Sequence, residues 1–488
     1  MRNAPLHFAR WSGSVIYQTT GGKGVIYSMN KTYGVCLGML ALGLVGLGAP
    51  SAHARARSAA GGPVDGSDAA STATASTTDA SGHTGSVLVA ENEDKDTATP
   101  AAGAPADQGT PAPATPAAAP AATTPPAPMP LSSPSMTAPL STAIPHEISA
   151  GPLGKLQVTG ILSGGGMTEG SPVAGDVPSH WDLSNAQVFV QKTSGWFQFY
   201  LQGGAYNILS LGTAFASTGQ QVGQLYGPLP VGYVKLVKGN FNVEVGELPT
   251  LIGAEYTFSF ENMNIERGLL WNQEPAISRG IQLNDTYKKL SVSFSYNDGY
   301  FSNRYTSLSG SLAWAFNAAN TLSFVASGNA GSYNKGTFAT PYLQNNSSVY
   351  NVIYTYTKGN VTITPYYQYT SVQKNLALGI PESTHTNGGA LLANYNFKHG
   401  ISLAGRAEYI ASSGSVTDPN SISALYGPGS GAFSFTVTPT YQKDGFFIRG
   451  DFSIVDLTNF TPSLGLGFNH AGTGSTQPRG AIEAGIMF

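Results

Sequence analysis

The chain has 488 residues, of which only 10% are charged, with 60 glycines, 24 tyrosines and a formal net charge of −3. Soluble proteins carry about 25% charged residues, so the chain is poor in charge, and its near-neutral balance speaks against a nucleic-acid partner or a strongly cationic surface. The single cysteine, Cys36, excludes disulfide and cysteine-based metal frameworks.

Residues 35–47 form one continuous apolar run, shorter than the about 20 residues a membrane-spanning helix needs. Lys31 precedes it and an A-x-A site, Ala52-His53-Ala54, follows, so residues 1–54 read as an N-terminal extension with a cleaved secretory signal peptide. Residues 1–28 have no part in such a signal, and translation is expected to start at Met29. Residues 55–150 are rich in Ala, Pro and Thr and lack aromatic residues with which to build a core, so they are expected to form a disordered periplasmic linker. Its acidic group, Glu91, Glu93, Asp94 and Asp96, reads as a solvated charge run.

Residues 151–488 change character. Short segments alternate apolar and polar residues: Leu290, Val292, Phe294 and Tyr296 with Ser291, Ser293 and Ser295; Phe433, Phe435, Val437 and Tyr441 with Ser434, Thr436, Thr438 and Thr440. One face suits lipid and the other water. Hairpin signals fall at Lys192-Thr193-Ser194, Gly239-Asn240, Asp285-Thr286-Tyr287, Asn317-Ala318-Ala319-Asn320, Lys358-Gly359-Asn360, Lys398-His399-Gly400 and Gln442-Lys443-Asp444-Gly445. Longer connections lie between them. The expected fold is all-β: a transmembrane antiparallel β-barrel of about sixteen strands, with short periplasmic turns and long outer loops. The strands are expected at 154–162, 183–191, 195–204, 231–238, 241–247, 279–285, 288–297, 309–316, 321–330, 348–357, 361–371, 387–397, 401–411, 432–441, 446–456 and 480–488. A barrel of that size is wide enough for an aqueous channel. Tyr350, Tyr367, Tyr395, Tyr409 and Tyr441 suit the interfacial girdles. Pro365 and Pro439 fall inside strands, where a missing donor predicts a bulge or kink.

The third outer loop, about 248–278, is apolar enough to bury, and the barrel interior is the nearest place for it. It carries Glu255, Glu261, Glu266, Arg267 and Glu274, which are the candidate constriction charges. Strand parity turns Glu244, Arg406, Glu408, Arg449, Asp451 and Glu483 toward the lumen as candidate wall charges, since an Arg or Lys facing lipid at mid-depth costs about 2–4 kcal/mol. The mixture of signs predicts weak ion selectivity at most. At the C-terminus, Ile482, Ala484, Ile486 and Phe488 share one face of the last strand. A last strand ending on Phe resembles the insertion signal read by the bacterial barrel-assembly machinery.

Gly246-Glu247-Leu248-Pro249-Thr250-Leu251-Ile252-Gly253, Glu261-Asn262-Met263-Asn264-Ile265, Arg267-Gly268-Leu269-Leu270, Gln273-Glu274-Pro275 and Arg279-Gly280 together resemble the OmpL-like β-barrel porin family of Gram-negative bacteria. The resemblance implies an outer-membrane channel for small solutes and brings no catalytic or ligand residues with it. The Ala/Pro-rich segment is not part of that pattern.

The expected function is therefore a passive, water-filled porin for small hydrophilic solutes or ions, narrowed by its third loop. The expected partners are outer-membrane lipid, the assembly machinery and, by analogy with sixteen-stranded porins, two further copies in a homotrimer. A closed structural or adhesive barrel, tethered by its linker to another envelope layer, is the alternative. An enzyme is not expected: His180, His385, His399 and His470 are assigned to loops and turns, and no G-x-S-x-G elbow accompanies them. No cofactor is called for, and no His/Asp/Glu group has metal-ligand spacing on one element.

Overall fold

The computed structural model describes residues 140–141 and 144–488, together with a small hairpin pairing Ala9–Trp11 with Ser14–Ile16. Apart from that hairpin, the expected signal peptide and the linker up to residue 139 lie outside the described residues.

Sixteen antiparallel strands close into a barrel. They are β1 (Lys155–Glu169), β2 (Ser179–Lys192), β3 (Phe197–Tyr206), β4 (Val231–Lys238), β5 (Phe241–Pro249), β6 (Ile277–Tyr287), β7 (Leu290–Asn297) and β8 (Ser307–Asn317). Then come β9 (Asn320–Asn329), β10 (Ser347–Lys358), β11 (Val361–Val372), β12 (Thr384–Asn396), β13 (Ile401–Ser412), β14 (Gly431–Lys443), β15 (Phe446–Thr458) and β16 (Thr476–Met487). Each bonds to the next, and β16 pairs with β1 from Arg479↔Glu169 to Met487↔Ile161. The period of two sets the two faces. On β7 and β8, Val292 pairs with Leu312 and both are exposed outward, while Ser295 and Ser309, paired three steps on, are buried inward. Tyr350, Tyr367, Tyr395, Tyr409 and Tyr441 are exposed on the outer face, where a ring with a polar tip suits the headgroup level.

The prolines do not produce the expected bulges. Register is the same on either side of Pro365, with Ile353↔Tyr366 and Tyr356↔Ile363. It is also kept around Pro439, with Val437↔Phe452 and Thr440↔Arg449. On their other flanks the prolines stay paired with Leu391 and Leu403. An antiparallel residue directs its N–H to one neighbour only, so each proline interrupts one ladder and leaves the other whole. The bulge next to β1 falls instead at Ser163/Gly164. Beyond it β1 continues to Glu169 rather than stopping near 162, and β16 begins at Thr476 rather than 480. β6 extends through Asp285-Thr286-Tyr287, which moves that turn to Lys288 and Lys289.

The expected linker boundary also shifts. His146–Ser149 forms a short strand on β1, from His146↔Val158 to Ser149↔Lys155. It takes over the β1 edge just past Phe488, which exchanges two backbone hydrogen bonds with Gly160 at 2.6 and 3.0 Å. Ser141 is bonded through both N–H and carbonyl to the Gln442 side chain. No helix among the described residues is long and apolar enough to cross a membrane.

Candidate functional site

Residues 250–276, between β5 and β6, are buried almost throughout. Ile252, Ala254, Met263, Leu269 and Leu270 pack with inward side chains of the wall, among them Val349, Ile353, Leu392, Ile410 and Val455. Polar contacts fix the loop at many points. Gly253 N–H donates to Asn351 on β10, and the Gln368 amide on β11 donates to the Leu270 carbonyl. Asn264 donates to Thr438 on β14, and Glu266 N–H donates to Asp451 on β15. The loop's own conformation needs Gly253, whose φ is +83°; a Cβ there would lie 1.7 Å from Glu274 Oε2.

All five loop charges named from sequence are buried, and four are tied to the wall or to the loop itself. Glu255 meets Arg406 at 2.5 Å and accepts from Gly268 N–H. Glu266 meets Arg479 at 3.1 Å and accepts from Ser453. Among the described residues Arg267 forms no salt bridge; its guanidinium donates to the carbonyls of Thr257 and Ile265 and so pins the loop to itself. Its backbone pairs with residues 209–211 of the preceding outer loop. Glu261 accepts from Phe258 N–H at 3.0 Å, and burial pushes its carboxyl up to about 8. Glu274 has no hydrogen-bond partner on either oxygen; burial, together with Glu255 and Glu408, raises it well above the usual range. A cavity of about 80 Å³ adjoins it, lined also by Tyr226, Trp271, Asn272 and Tyr300, which leaves room for water.

The wall charges divide into two groups. Arg406 lies 3.2 Å from Glu408, and Glu408 accepts from Leu269 N–H, Leu270 N–H and Ser434. Arg449 stands 3.7 Å from Glu483 and donates to the carbonyls of Ser259, Asn262 and Met263. Glu483 in turn accepts from Ser163, Asn185 and Ser259. Glu244 is separate: it pairs with Lys235 at 2.9 Å on β4, whose side chain is 26% exposed. Asn242 and Asn284 beside it are half-buried.

Sequence reasoning missed Arg479 and Glu169, which meet at 2.7 Å. Both lie in strand ends beyond the expected bounds; parity from Glu483 back through Ala481 would have found Arg479 had β16 been started at Thr476. His180 belongs to β2 and His385 to β12, not to loops as expected. In this layer eight carboxyl groups (Glu169, Glu255, Glu261, Glu266, Glu274, Glu408, Asp451, Glu483) face four guanidiniums (Arg267, Arg406, Arg449, Arg479), all buried.

Over residues 155–488 the sequence matches the family model described as "Putative beta-barrel porin-2, OmpL-like". No curated protein matches the chain. Among solved structures, an anion-selective porin from Comamonas acidovorans is 12% identical, with 68% of this chain and 99% of that chain covered and a TM-score of 0.47. The outer-membrane expressed OmpT of Vibrio cholerae is 12% identical over 70% of this chain and 99% of that one, with a TM-score of 0.46. Salmonella typhi OmpF, solved with daunomycin, is 13% identical over 68% and 98%, with a TM-score of 0.45.

Proposed function

The chain belongs to the OmpL-like family of β-barrel porins, and on that premise we propose that it is a restrictive outer-membrane porin that passes small hydrophilic solutes and ions and favours cations. The observation that carries this reading is the buried loop 250–276, with its excess of carboxyl groups over arginines inside the barrel. An excess of fixed charge of one sign in a confined space raises the local concentration of the opposite sign. In this reading the loop narrows the lumen against β10–β16, and the passage follows the more solvent-reaching face of Lys235, Asn242, Glu244 and Asn284. The reading assigns the chain no catalysis. Export by a cleaved signal peptide, residues 55–150 lying in the periplasm, and assembly as a homotrimer complete the proposal.

The closed structural barrel keeps one observation in its favour. Val173, Leu211, Leu425, Tyr426 and Phe468 from other outer loops join the apolar cluster inside the barrel. Single-channel recording of the purified full chain in a planar bilayer under a salt gradient separates the two. Small, stable steps with a reversal potential of cation sign are expected, and joint Glu→Gln replacement of Glu255, Glu261, Glu266 and Glu274 is expected to shift that potential toward anions. Silence from demonstrably folded barrels would put the closed reading first.

A further inference from the structure

At the outer rim, apart from the loop between β5 and β6, three side chains of one hairpin converge: Glu169 ending β1, Asp176 in the connection 170–178, and His180 near the start of β2. One ligand-capable atom of each lies within 4.8 Å of the other two. The geometry points to a divalent transition-metal site made of Glu169, Asp176 and His180, which clamps the outer rim of the barrel. Ligand spacing on one element, the signal sought in the sequence, does not reach this group, whose members come from two strands and a loop.

Several features mark the site as built rather than incidental. His180 Nε2 stands 2.8 Å from Asp176 Oδ1 as an ion pair and has no other partner among the described residues. Glu169 is 4% exposed; its Oε2 meets Arg479 at 2.7 Å, and its Oε1 has no partner among the described residues. Buried lone pairs in this condition are costly unless something positive meets them. The remaining contacts hold the ligands in place. Asp176 accepts from Val177 N–H at 2.8 Å and from Phe215 N–H at 2.6 Å, and the His180 ring stacks on Phe215 at 4.1 Å and 13°. Such outer contacts orient metal ligands.

Charge supports the same assignment. Arg479 is shared between Glu169 and Glu266, so one guanidinium serves both, with Asp176 close by. Three carboxyl groups share one guanidinium, so the cluster is short of positive charge, which a divalent cation supplies. Two carboxylates with an imidazole suit a first-row transition ion rather than Ca²⁺ or Mg²⁺, which take oxygen ligands. Bonds of about 2.0–2.2 Å put ligand atoms about 3.4 Å apart in a tetrahedron, so an ion enters as the 2.8 Å contact between His180 and Asp176 opens and Glu169 turns toward it, with a fourth position for water.

The test uses untagged full chain in detergent, stripped with a chelator, equilibrated with Zn²⁺ and gel-filtered, with bound metal counted by mass spectrometry. Wild type is expected to retain one Zn²⁺ per chain. His180→Gln and Asp176→Asn, still folded by their heat-shifted gel mobility, should bind more than about tenfold more weakly. Failure of wild type to retain Zn²⁺, or retention by both folded variants, overturns the assignment. If both variants fail to fold, X-ray absorption of Zn²⁺ on wild type decides: one imidazole with carboxylate oxygens supports the site, and a shell without imidazole overturns it.

Discussion

At the scale of single residues, the loop charges are held by different means, and Glu261 is the one whose means can be read by titration. Glu255 and Glu266 have arginines, whereas Glu261 has one backbone donor and full burial. Its native carboxyl titrates near 8 against an ordinary value of 4.5, so between those values the folded chain holds a proton that the unfolded chain has released. The stability this provides is complete below about 4.5 and is lost as pH rises toward about 8. Glu261→Gln keeps a neutral side chain of the same shape. Denaturant unfolding of the variant is expected to show a flatter pH dependence than wild type across that window, and greater stability at pH 8. A variant that loses stability with pH as steeply as wild type would mean that the carboxyl is ionised in the fold.

At the scale of elements, the strands were legible because alternation and hairpin turns are local signals. β4, β5, β11 and β13 lie within about two residues of where they were expected, the usual resolution of such reading. The ends of β1 and β16 were not legible. Gly164, Gly165 and Gly166 look like a strand stop, but they let the closing pair come together: a Cβ at Gly165 would lie 2.1 Å from the Ile482 carbonyl oxygen. That requirement exists only once β16 is alongside, so no local pattern announces it. The truncated ends hid Glu169 and Arg479, and with them the metal-binding hairpin. The inward parity of Arg406, Glu408, Arg449, Asp451 and Glu483 was legible, since a period of two needs only one anchored residue. Their partners on the loop were not, because loop contacts are made across the bore. The closing pair also bears a prediction. Phe488 contributes two backbone bonds to Gly160, and its ring lies over that glycine, where a Cβ would come within 2.5 Å of it. Deleting Phe488 is expected to lower the refolded fraction, read as heat-shifted gel mobility, while leaving the stability of the barrels that do close within about 2 kcal/mol. An unchanged refolded yield would show that closure does not depend on this residue.

At the scale of the whole molecule, the question is whether the bore is filled by the fold or only by one loop. Sixteen strands leave room for an aqueous channel. Here that room holds an apolar cluster to which residues 250–276 contribute Ile252, Ala254, Met263, Leu269 and Leu270. The loop can be removed without straining its flanks, because Pro249 already pairs with Ile277 and a tight turn can join the two strands there. Arg406 and Arg449 would then exchange loop carbonyls and Glu255 for water, which costs little once the bore is wet. Replacing 250–276 with a short Gly-Asn turn is therefore expected to leave a folded barrel with conductance steps several-fold larger than wild type and a weaker cation preference. Unchanged steps would mean that the other outer loops, through Val173, Leu211, Leu425 and Phe468, set the resistance. The narrowing would then be a property of the whole outer rim, where Glu169, Asp176 and His180 also lie.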